Sequence, residues 1–136
     1  MERPRMMMSG PVLNAPDVAQ LTRFYEQLLG WKVEEIVGPR PGHPPGDGWS
    51  RLRPDDRSTK IEIQFEEHYA RPVWPGAPGT QGMQMHLDIW VEDVATGVAW
   101  AVASGAAEAE HQPSGRDQSR LRIMLDPAGH PFCLWS

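Results

Sequence analysis

His86, Asp88 and Trp90 stand at alternate positions of the run Met85-His86-Leu87-Asp88-Ile89-Trp90-Val91. In an extended strand alternate side chains share a face. An imidazole, a carboxylate and an indole therefore point one way, and Leu87, Ile89 and Val91 point the other. Such a trio could orient a polar ligand, pass a proton through the imidazole, or stack on a flat ring. The same alternation puts the single cysteine, Cys133, on one face with Trp135. As a thiolate Cys133 could ligate zinc. As a thiol it is a small hydrophobe, the more common fate of a lone cysteine. Lys60 to Glu66 places Ile61, Ile63 and Phe65 on one side and Glu62, Gln64 and Glu66 on the other. A general base among those acids is one reading, and a solvated strand face is the commoner one.

Several chemistries are excluded. The chain has no Gly-rich phosphate loop, no Ser-His-Asp elbow and no paired-cysteine zinc pattern. A net charge of −5 argues against a nucleic-acid partner, which needs a concentrated basic face. Arg51, Arg53, Arg116, Arg120 and Arg122 are scattered among acids and read as solvated. No run approaches the length of a membrane span. Residues 1–8 carry charge without the apolar core of a signal peptide and read as a loose tail. One cysteine fits a reducing cytoplasm. His130 reads as a structural turn residue, and His43, His68 and His111 are assigned no role. Six tryptophans are many for 136 residues, and some of them fit a cavity for a flat, apolar ligand.

The elements that must position these groups occur twice. Asp17-Val18-Ala19 opens an amphipathic stretch that ends thirteen positions on at Gly30, and Asp93-Val94-Ala95 opens one that ends twelve on at Gly105. Asp17 followed by Gln20 is a capping-box arrangement, and both glycines suit a left-handed stop. Val18, Leu21, Phe24, Tyr25 and Leu28 make one buried stripe, and Val94, Val98 and Val102 the other. Strands are predicted at 11–15, 31–37, 49–53, 60–66, 84–92, 108–112, 120–125 and 131–135. The Pro- and Gly-rich segment 38–48 predicts a mobile loop. The fold class is α+β, with two βαβββ modules at 9–69 and 83–136 joined by a linker at 70–82. Neither module buries its own apolar face, so the two share one domain, with a cupped mixed sheet inside and the helices outside.

The repeated Asp…Gly helix, the order of elements and the ending Asp126-Pro127-Ala128-Gly129-His130-Pro131-Phe132-Cys133-Leu134 resemble the vicinal oxygen chelate superfamily, in its glyoxalase-like branch. That superfamily includes glyoxalase, bleomycin-resistance proteins and extradiol dioxygenases, and the resemblance runs from about Pro11 to Trp135. It implies up to four metal-ligand positions, two per module. The first-strand positions, seven before each helix-capping Asp, are Gly10 and His86. The last-strand position of the second module, seven after Asp126, is Cys133, where the resemblance implies glutamate. Its counterpart on the fourth strand reads as Gln64. Glycine has no donor, Gln64 is weak and neutral, and Cys133 ligates well only as thiolate.

The reading is therefore a small-molecule binder without a tight metal, after the drug-sequestering bleomycin-resistance relatives. Gln64, His86, Asp88, Trp90, Cys133 and Trp135 would line the site for an aromatic or apolar ligand. The alternative is a metal-dependent lyase, isomerase or dioxygenase acting on a small carbonyl or catechol-like substrate. His86, Gln64 and Cys133 would then hold zinc, iron, nickel or manganese. A metal-free enzyme with His86 as acid–base is a further case. Exposed tryptophans predict a two-fold homodimer.

Overall fold

The computed structural model describes residues 1, 3, 5, 7–80 and 85–136. Gln84 at the head of a predicted strand, residues 81 and 82 of the predicted linker, and Glu2, Pro4 and Met6 of the predicted tail lie outside the described residues. The chain divides into two compact units, residues 1–67 and 68–136.

The first unit contains β1 (Val12–Ala15), α1 (Val18–Leu29), β2 (Lys32–Val37), β3 (Trp49–Arg53) and β4 (Ile61–Phe65). Its sheet runs β1-β4-β3-β2, with β1 parallel to β4 and the other pairs antiparallel. α1 begins where Asp17 Oδ1 accepts the Gln20 N–H at 2.9 Å and stops at Gly30, whose φ of 65° is left-handed. It buries Val18, Leu21, Phe24 and Tyr25, with Leu28 half-buried, and packs chiefly on β3 and β4. A polar contact between Thr22 and Ser50 crosses that interface. Thr22 Oγ1 spends its hydrogen on the Val18 carbonyl at 2.6 Å, so Ser50 Oγ, 2.6 Å away, donates to it.

The segment 38–48 is irregular, as predicted, but it is stapled rather than loose. Asp47 lies buried and takes the Arg40 guanidinium as a fork, Nε at 2.9 Å and Nη2 at 2.8 Å, plus the Arg40 N–H. The Arg40 hydrogen bonds hold the Asp47 carboxyl far below the usual range. The Gly46 carbonyl accepts the Val18 N–H, which ties the loop to the start of α1.

The second unit repeats the order: β5 (Leu87–Trp90), α2 (Val94–Ser104), β6 (Ala107–Glu108), β7 (Leu121–Leu125) and β8 (Pro131–Trp135). Its sheet runs β5-β8-β7-β6, and the first and last strands are again parallel. Asp93 caps α2 through the Thr96 N–H at 2.7 Å, and Gly105 ends it. Met124, Phe132 and Leu134 are fully buried on the strands packed against α2. His68 and Tyr69, placed by the sequence at the end of the first module, and the start of the predicted linker belong to this unit. Tyr69 donates to the Ala128 carbonyl at 2.5 Å, and Arg71 donates to the Pro127 carbonyl at 3.1 Å.

Two expectations change here. The strand predicted at 108–112 shrinks to Ala107–Glu108, because the Gln112 side chain takes over the pairing. Its Oε1 accepts the Ile123 N–H at 3.0 Å, and its Nε2 donates to the Ala109 and Ile123 carbonyls at 2.9 Å each. The valine stripe of α2 is also wrong. Val94 is buried and Val98 half-buried, but Val102 is exposed, and Ala101 takes the inner position. The helix is apolar on every side, so periodicity could not choose its inner face.

Burial on α2 is directly testable. Val94→Ala should cost about 2 kcal/mol, whereas Val102→Ala should stay within about 0.5 kcal/mol of the parent. Urea midpoints read the difference, and equal effects would contradict this orientation of the helix.

Candidate functional site

The parallel pairing of first and last strands decides which side chains meet. In the second unit Asp88 lies opposite Cys133 and Trp90 opposite Trp135. His86 immediately precedes β5, and its Nε2 is 3.1 Å from Asp88 Oδ1. One donor atom each of His86, Asp88 and Cys133 lies within 4.8 Å of the others. Three of the six sequence-selected residues thus form one cluster on the helix-free face. His86 and Asp88 are exposed and Cys133 is half-buried. Burial, and then the negative charge of Asp88, push the Cys133 thiol above its ordinary pKa.

Trp135 and Trp90 part company. Trp135 lines a cleft of about 500 Å³ with Asp88, Leu121, Arg116, Arg120 and Ser136. Arg120 Nη2 also donates to the Ser136 carbonyl at 2.8 Å. Trp90 lines a different cleft, beside the start of α2. His130 is structural, as expected: Nδ1 is 2.7 Å from the buried Asp126 Oδ2, inside a turn that also holds the Ala128 N–H on Asp126 Oδ1.

The first unit carries the matching positions with different chemistry. There Val12 lies opposite Glu62, as Asp88 lies opposite Cys133. Glu62, not Gln64, is therefore the counterpart of Cys133. Gln64 sits one pleat further on, exposed, and donates to Asn14 Oδ1 at 2.9 Å. Glu62 is largely buried and bonded to the Lys60 ammonium and to Arg51 Nε, the latter at 3.0 Å. Lys60, and then Arg51, pull its carboxyl below the usual range against the opposing effect of burial. Arg51 in turn lies 4.9 Å from the centre of the Trp49 ring. Gly10 has a φ of 129°, and a Cβ there would meet the Lys60 side chain and carbonyl at 2.9 Å.

These contacts test the implied metal. In the first unit the residues do not fit one, because Gly10 has no donor, a side chain at that position would strike Lys60, and Glu62 is already neutralised by two cations. In the second unit His86, Asp88 and Cys133 fit a divalent ion by reach and donor type, three ligands with an open fourth position. Asp88 as a third donor and Glu62 as the first-unit carboxylate were both missed from sequence. Alternation put each on the correct face, but only the strand register selects them.

Two measurements check this electrostatics. The Glu62 carboxyl is depressed in the folded state, so its contribution is present above the unfolded value near 4.5 and is lost as pH falls through the folded one. Glu62→Gln should flatten the fall in stability below about pH 4.5 relative to the parent, followed by urea midpoints against pH. Cys133 should alkylate with a pH midpoint above that of a free thiol, and Asp88→Asn should move the midpoint down. An unmoved midpoint would show that Asp88 does not act on the thiol.

Residues 11–135 match the glyoxalase-like domain family. Among curated proteins, the anthracycline biosynthesis protein DnrV of Streptomyces peucetius is 27% identical over 127 residues. That alignment covers 90% of this chain but 44% of the relative, so the chain spans less than half of that protein's length. A glyoxalase family protein from Enterococcus faecalis superposes with a TM-score of 0.65 at 23% identity, covering 96% of this chain and 97% of the other. FosX, a fosfomycin resistance protein from Listeria monocytogenes, superposes with a TM-score of 0.62 at 15% identity, covering 97% and 90%. That FosX structure is of a point mutant complexed with Mn(II) and dihydroxypropylphosphonic acid. At these identities the superpositions speak for the fold, while the family match takes in both units, and the chain belongs to the glyoxalase-like domain family.

Proposed function

We propose that the chain binds a small, flat aromatic or apolar molecule on the helix-free face of the second sheet, without a resident metal. The cleft of about 500 Å³ between Trp135 and Leu121 carries this reading. It joins an indole and an aliphatic wall to a few polar groups, Asp88, Arg116 and Arg120, which is the usual make-up of a small-molecule site. The relative concerned with anthracycline biosynthesis supports a polycyclic aromatic guest. In the first unit, Lys60 supplies a tethered positive charge where the pseudo-repeat places a ligand position. That supports binding without metal chemistry in that unit.

A second reading follows from one observation, the approach of His86, Asp88 and Cys133 to within 4.8 Å. In it these three hold a divalent ion, which when bound would polarise a carbonyl or catechol oxygen as a Lewis acid. His86 would coordinate as neutral imidazole, and Cys133 would have to give up its proton against the charge of Asp88.

One set of titrations separates the readings. An anthraquinone sulfonate should quench the protein fluorescence, and Trp135→Ala should weaken binding about tenfold, the equivalent of about 1.4 kcal/mol. Untagged protein should carry far less than one equivalent of metal, with a melting temperature unmoved by chelator. Quenching indifferent to Trp135→Ala overturns the first reading. Stoichiometric metal that disappears in His86→Ala establishes the second.

A further inference from the structure

The second cleft of this unit lies where β5 passes into α2, and it shares no lining residue with the cleft at Trp135. Its volume is about 440 Å³. Two indoles wall it. Trp90, at the end of β5, is 62% exposed, and Trp100, on α2, is 50% exposed. The helical repeat explains the second wall, since Thr96 and Gly97 lie three and four residues after Asp93 and Trp100 lies four and three after them, which puts all four on one face.

Gly97 forms the floor. A Cβ there would meet the Val91 methyls at 3.0 and 3.2 Å, so at Gly97 the helix rests directly on the Val91 side chain. Every ionisable group lining this cleft is acidic: Glu92 and Asp93. Asp93 remains a carboxylate because Thr96 donates to it through both its N–H and its hydroxyl, and its charge offsets the positive end of the helix.

Among the described residues lining the cleft none is a cation, and aromatic faces beside negative charge attract a large, weakly hydrated positive group. A hard metal ion is a poor match, because it needs six or more oxygens, and one of the two carboxylates here is already engaged as a helix cap. We propose that the cleft between Trp90 and Trp100 is a receptor for an alkylated ammonium group, with Glu92 as its counter-charge. This site is separate from the aromatic cleft at Trp135 and stands or falls independently of it.

Choline is the probe. Its uncharged isostere, in which a tert-butyl group replaces the trimethylammonium, is the control. Fluorine NMR of protein labelled with fluorotryptophan resolves the six indoles, and Trp90→Phe and Trp100→Phe assign the two in question. Choline should shift those two resonances alone, at least tenfold more tightly than the isostere. Trp90→Ala and Glu92→Gln should each weaken it roughly fivefold with the fold intact by circular dichroism, and added salt should weaken it further. Equal response to the isostere would reduce the cleft to a plain apolar surface and overturn the proposal. So would indifference of both resonances to choline, including the case in which sedimentation shows a second copy of the chain covering the two rings.

Discussion

The parallel pairing of the first and last strands of each unit is the constraint on which the rest depends. β1 lies beside β4 and β5 beside β8, so residues 45 to 50 positions apart become cross-strand neighbours. The His86, Asp88 and Cys133 grouping of the second unit grows from that register. It sets Asp88 against Cys133 and Val12 against Glu62, and it leaves α1 and α2 to cover the other faces. A parallel connection needs a long crossover, and here the helix and two antiparallel strands supply it.

One register with two chemistries is the product of the repeat. In the second unit the paired positions gather an imidazole, a carboxylate and a thiol. In the first they gather a glycine, a carboxylate and two cations. Lys60 and Gly10 make sense only together: the lysine stem occupies the space that a side chain at position 10 would need. Restoring a ligand at Gly10 would require moving a largely buried lysine and accepting a strained backbone, so a single substitution would not rebuild a metal half-site there.

Legibility in the sequence followed the range of the interaction. Helix α2 was predicted to the residue, because Asp93 and Gly105 act within one turn of its ends. Strand β3 was likewise bounded correctly. The extent of β6 failed because Gln112 competes for the partner of a strand 11 residues away, on Ile123. Gln64 was chosen over Glu62 because both share a face, and only the nonlocal register separates them. The face of His86, Asp88 and Trp90 was readable from alternation. That Trp90 would part from the others was not, because β5 is the outer strand of its sheet, and an indole at its end reaches past the sheet toward α2.

The Gln112 amide has a consequence beyond the shape of one loop. Beyond the two-residue β6, β7 would otherwise present the bare Ile123 N–H. An uncovered row of such groups is a template for another chain, and a route to fibres. By filling the place of a strand with one side chain, the protein ends its sheet without offering a continuation. On that side the Gln112 amide acts together with the Ala109 N–H on the Ile123 carbonyl and the Asp117 carbonyl on the Leu121 N–H, so little of the β7 edge is left open to edge-to-edge aggregation.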